Sequence, residues 1–170
     1  MKKDLFNFIG FHSGWWACVI GVQNDYDYLG VFVMSIYLLI HLIYFRINNN
    51  ELYIILISGF VGAVVDSILL ITNFVEYEGL YSKSFAPFWI ISMWMGFSST
   101  LNHSLKWLDL KWISQFLLGF IFGPLSYIAG VRLGALYFNA SLYNIFILGL
   151  VWGAAVPTLY LLNNKLVKIK

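Results

Sequence analysis

Six apolar runs, each near the length that crosses a bilayer, fill most of this chain, with only short polar turns between them. No other feature narrows the fold so far. A helix rises about 1.5 Å per residue, so about 20 apolar residues span the hydrocarbon layer. Within that layer every backbone amide must find its partner inside the segment, which leaves helices or a closed barrel. The runs lie at about 5–22, 29–45, 52–71, 87–105, 112–136 and 142–162. They predict an all-α, polytopic integral membrane protein: a six-transmembrane-helix bundle forming one domain over residues 1–170.

The breaks between runs agree with this. Asn24 to Asp27 and Asn48 to Glu51 are polar turns. Glu51 suits the first turn of a helix, where the dipole favours an anion. Residues 73–86 make the longest loop, and Pro87 then stands where a helix start tolerates proline. Lys106 to Lys111 is a short charged link, which predicts an antiparallel hairpin of the fourth and fifth helices. Only 11% of the residues are charged, against roughly 25% in a soluble domain. So few charges could not clothe a water-soluble fold of this size. The net charge of +2 is spread singly over helix ends, so no nucleic-acid surface is expected. Cys18 is a lone cysteine in an apolar run and reads as a small packing residue. Lys2 and Lys3 resemble the start of a cleaved signal, but Asp4, Asn7, His12 and Ser13 interrupt the run that follows, and no small-residue cleavage site appears. A retained first helix is expected.

Orientation follows from Lys and Arg. With the N-terminus inside, the inner ends hold Lys2, Lys3, Arg46, Lys106, Lys111, Lys165, Lys168 and Lys170, and the outer ends hold Lys83 and Arg132. Eight against two predicts that both termini face the cytoplasm.

Lipid gives helices little hydrophobic reason to associate, so small residues that allow close packing mark the seams. Gly59, Gly62 and Ala63 lie on one face of helix three. Gly119, Gly123, Gly130 and Gly134 punctuate helix five, and Gly149 and Gly153 helix six. These three helices are expected in the middle. Pro124 should kink helix five near mid-membrane and free a carbonyl.

Ionisable groups within a bilayer point to function or to a partner. Asp66 shares the glycine face of helix three and points into the bundle. It either pairs with Arg132, fixing helix three against helix five, or belongs to a substrate site. His12, His41 and His103 all fall in the inner half by helical rise. They come from three helices with no metal-ligand spacing, so His12 and His103 are expected to hydrogen-bond across helices and His41 to sit near the headgroups; no metal site and no cofactor is expected. Helix four has the densest polar run, Ser98, Ser99, Thr100, Asn102, His103 and Ser104, too polar for all of it to face lipid. The candidate ligand-binding residues are His12, Trp16, Asp66, Ser99, Asn102, His103, Tyr127 and Arg132.

Several of these lie in recognisable strings. Asn7 with Gly14 to Val19, Asp66 behind its glycines, Pro87-Phe88-Trp89, Leu101 to Leu105, and Gly123 to Gly130 occur here in an order and spacing that resembles a family of bacterial inner-membrane proteins, domain of unknown function 2878. The resemblance runs over nearly the whole chain. It implies a multi-pass location in the bacterial cytoplasmic membrane. Lipid-modifying enzymes are frequent genomic neighbours of such members, which hints at lipid or envelope work. It supplies no activity and no site.

Three functions fit these residues. The preferred one is binding or translocation of a small amphiphile or lipid in an intramembrane polar pocket. The second is a structural or assembly subunit whose seams dock another membrane protein. The third, ranked last, is a lipid-modifying enzyme using His103 or His12 with Asp66. Against it, Asp66 and His103 are far apart in depth, and no nucleophile elbow, zinc signature or phosphate loop is present.

Overall fold

The computed structural model describes residues 2–79 and 81–168. Lys170, one of the basic residues counted for the inner side, lies outside the described residues, as does the side chain of Lys168. Among the described residues the chain forms six α-helices and two very short strands: α1 (Lys2–Gln23), α2 (Leu29–Phe45), α3 (Asn49–Ile71), β1 (Glu76–Tyr77), α4 (Phe88–Ser98), α5 (Trp112–Arg132), β2 (Leu136–Tyr137) and α6 (Leu142–Lys168). Four of the helices, α1, α3, α5 and α6, are long and apolar enough to cross a membrane, as expected of a membrane protein. The other two are shorter. α2 has 17 residues, about 26 Å of rise, and α4 has 11, about 17 Å.

Helix four is thus the largest departure from the sequence expectation, which carried it to Leu105. It stops at Ser98, where the backbone tightens into turns: the Thr100 amide donates to Phe97 O and the Leu101 amide to Ser98 O, three residues back instead of four. Ser98, Ser99 and Thr100 each also donate a hydroxyl hydrogen bond to the carbonyl three residues back, on Met95, Gly96 and Phe97. Turns and a 3₁₀ turn at Lys106–Leu108 follow. Residues 98–101 are buried, and protein cover of this kind is what irregular backbone at membrane depth requires.

Helix five also ends early, at Arg132, and the reason is local. The amide of Ala135 donates to Gly130 O and that of Gly134 to Val131 O, while Gly134 adopts φ +73°. This is the Schellman arrangement, in which a left-handed residue closes the helix. Gly134 is therefore a stop and not a packing residue. Just beyond it β2 pairs antiparallel with β1, with Glu76 opposite Tyr137 and Tyr77 opposite Leu136. The pair ties the α3–α4 connection to the α5–α6 connection.

Consecutive helices pack as antiparallel hairpins, α1 with α2, α3 with α4, and α5 with α6. One end of the bundle, here the terminal end, gathers the starts of α1, α3 and α5, the close of α2 and α6, and the turns after α4. The strand end holds β1 and β2. The expected seams appear where backbone meets backbone or ring. A Cβ on Gly119 would stand 2.3 Å from the Trp152 carbonyl oxygen, and one on Gly62 2.1 Å from the Trp94 ring. Among the four long helices α3 is the most enclosed. α5 and α6 pack chiefly against each other, so they do not share the middle with α3. α5 runs unbroken through Pro124. Proline has no N–H to offer the Phe120 carbonyl, and that oxygen faces Gly149, whose absent Cβ would stand 2.9 Å away. The freed carbonyl thus meets the α6 seam.

Candidate functional site

Two carboxylates on α3 organise the polar interior. The first, Asp66, is fully buried. Gly62, one turn earlier, leaves room for the Trp94 indole to lie against α3. The Trp94 Nε1–H donates to Asp66 Oδ2 at 2.7 Å. The hydroxyl of Tyr77, carried by β1, donates to Oδ1 at 2.6 Å, and the hydroxyl of Tyr127 on α5 donates to the same oxygen. Burial, then the Asp66 charge, holds the Tyr77 phenol well above its ordinary pKa, so it stays a donor. Trp152 of α6 stacks on Trp94 with centroids 4.5 Å apart. Asp66 therefore fastens four elements, α3, α4, α5 and β1, with three neutral donors. Arg132 is exposed, and the expected Asp66–Arg132 ion pair gives way to these phenol and indole contacts.

The second carboxylate is Glu51, in the first turn of α3 at the terminal end. Asn48 caps this helix, accepting the Glu51 amide at 2.9 Å, and the Glu51 side chain turns inward. Its Oε1 meets Nε2 of His41 at 3.1 Å and Nε2 of His103 at 2.6 Å. The His41 side chain is 0% exposed, Glu51 12% and His103 16%, so the cluster has one partly open edge. Phe45 covers both imidazoles, with ring centroids 4.7 Å from His41 and 4.0 Å from His103. The Lys3 ammonium lies 5.3 Å from the Tyr44 ring centre and 5.5 Å from that of Phe45.

Asn7 of α1 holds this cluster from behind. Its Oδ1 accepts from the Ser104 amide at 3.2 Å and the Ser104 hydroxyl at 2.6 Å. Its Nδ2 donates to Ser99 O at 3.0 Å and to the Tyr37 hydroxyl at 2.9 Å. Those contacts fix which way the amide points. His41 Nδ1 therefore faces a donor nitrogen, at 3.5 Å. An N–H there would oppose another, so the network puts the His41 proton on Nε2, directed at Glu51.

The structure divides the eight candidate residues into distinct places. Asp66 and Tyr127 meet in the first cluster. Ser99 and His103 meet in the second, where Tyr37 is hydrogen-bonded to Ser99 Oγ at 2.8 Å. Asn102 forms a reciprocal amide pair with Asn163 of α6, at 3.1 and 2.8 Å. His12 leaves the histidine group altogether: its Nδ1 lies 2.8 Å from the Phe8 carbonyl one turn back on its own helix. Trp16 is 48% exposed on the outside of α1, and Arg132 is exposed near the strand end. The sequence reading missed Glu51, Asn7, Tyr37, Trp94 and Tyr77. The shared depth of His41 and His103 was the available signal. Glu51 was hidden by its fit to a helix start, which explains the residue without any partner.

A model of the family described as protein of unknown function (DUF2878) matches residues 4–158. The chain belongs to that family. The span shared with DUF2878 contains both carboxylate clusters except Lys3, and ends before Asn163. No curated protein and no solved structure matches the chain.

Proposed function

We propose that this DUF2878 protein binds a small amphiphile at the terminal end of its bundle, in the bacterial cytoplasmic membrane, with the ligand's polar head at the open edge of the second cluster, against His103 and Lys3. The observation that carries this reading is the open edge of the second cluster. A carboxylate and an imidazole, 12% and 16% exposed, stand among aromatic rings with the Lys3 ammonium beside them. A polar head needs a few fixed partners, and an acyl chain needs an apolar wall; Phe45, Tyr44 and the lipid-facing side of α2 supply the wall. The Lys and Arg count supports a cytoplasmic placement of this end. The ligand is then taken from the inner leaflet, and an anionic head is favoured by the Lys3 ammonium. The Asp66 cluster takes no part, since its three donors already face its carboxylate.

The test is native mass spectrometry of the purified protein after exposure to oleate, phosphatidylglycerol or phosphatidylethanolamine. Oleate and phosphatidylglycerol should be retained above phosphatidylethanolamine, and His103→Ala or Lys3→Ala should abolish the difference. Equal retention by the unmodified protein and both variants would remove the proposal.

A further inference from the structure

We propose that His41, Glu51 and His103 form a binding site for a divalent first-row transition-metal ion. The juxtaposition is the argument. The chain brings three elements together, the end of α2, the start of α3 and the turns after α4, and each contributes one ligand of a kind such ions prefer. One ligand atom from each residue lies within 4.8 Å of the others. The two imidazoles approach the carboxylate through Nε2, and Oε1 stands 3.1 Å from one and 2.6 Å from the other. Donors at tetrahedral angles, each about 2.1 Å from a shared ion, stand about 3.4 Å apart. Opening the Glu51–His103 contact by about 0.8 Å, and the Glu51–His41 contact by about 0.3 Å, admits the ion. Their partial exposure gives it a way in and leaves positions open for water or a ligand. Two imidazoles and one carboxylate with open positions is an arrangement that suits reactive as well as structural metals.

The surroundings also rank the ligands. In the metal-free protein His41 carries its proton on Nε2, because Nδ1 faces the Asn7 amide nitrogen. To coordinate, His41 must give up that proton, and its second nitrogen meets a donor where metal-bound histidines usually have an acceptor. His103 is under no such restraint from Asn7. His103 and Glu51 are the principal ligands and His41 the weaker third.

This assignment stands apart from the amphiphile reading, because the metal alone is the probe. The full chain, produced without a histidine tag and stripped with chelator, is equilibrated with Zn²⁺ or Co²⁺ and passed through a desalting column. Mass spectrometry should count one ion per chain, and Co²⁺ should develop ligand-field absorption. His103→Ala and Glu51→Gln should each lower retained metal at least ten-fold, His41→Ala less, and His12→Ala not at all. Retention well below one ion per chain, or retention indifferent to His103→Ala and Glu51→Gln, overturns the site. Electron paramagnetic resonance of the Cu²⁺-loaded unmodified protein decides without variants. Nitrogen hyperfine structure from two imidazoles supports the site, and its absence overturns it.

Discussion

Asp66 and Glu51 stand on one helix, 15 residues apart by number and so about 22 Å along it, yet their surroundings oppose each other at every point. Asp66 is sealed at 0% exposure and takes three hydrogen bonds from two phenols and an indole. Glu51 keeps an open edge and shares one oxygen between two imidazoles. A carboxylate ringed by fixed neutral donors acts as a fastening. One shared between two imidazoles at a partly open edge is the feature on which the proposed binding rests.

The contrast breaks most directly at Asp66. Asp66→Ala leaves three buried donors without an acceptor and should cost about 4 kcal/mol, read as earlier unfolding in detergent titration. A stable Asp66→Ala protein would mean that the sealed cluster does not hold the bundle. Gly62→Leu should follow at about 3 kcal/mol, because the new side chain displaces the Trp94 ring that donates to Asp66. Tyr77→Phe removes one donor to a charged acceptor and should cost about 2 kcal/mol.

At the other end the same kind of change should act on binding more than on folding. His103→Ala opens a partly exposed pair and should cost under about 1 kcal/mol, while metal retention and the oleate preference both fall. Destabilisation as large as that of Asp66→Ala would make Glu51 a second fastening and erase the distinction. The smallest effect belongs to Arg132→Ala, within about 0.5 kcal/mol, since this exposed residue is not the partner of Asp66. A loss of several kcal/mol in the same unfolding assay would restore the ion pair that the phenols replace here.

Much of the fold was open to reading from the chain. α2 begins and ends at the residues expected, and the Asp66 face, the α5–α6 glycine seam and the buried Cys18 all appear in place. Three helix ends were misjudged. α6 runs on to Lys168, past its apolar run, while α4 and α5 stop early in tightened turns, with Gly134 left-handed at the close of α5. The site was harder to read. A depth estimate put three histidines at one level and could not say which way each faced. His12 faces away from His41 and His103, bonded to its own helix.

The sequence by itself determined that this chain is helical, suited to a membrane and polar at a few interior points. Those properties are sums over single residues and short spacings, and hydropathy and helical rise express them directly. Which polar groups meet was decided only by the tertiary structure. Tyr77 reaches Asp66 because two residues of β1 pair with β2, and Glu51 meets two imidazoles because three elements converge at one end. A hydrogen bond forms over about 3 Å, and residues as distant as 51 and 103 come that close only once the whole bundle has packed.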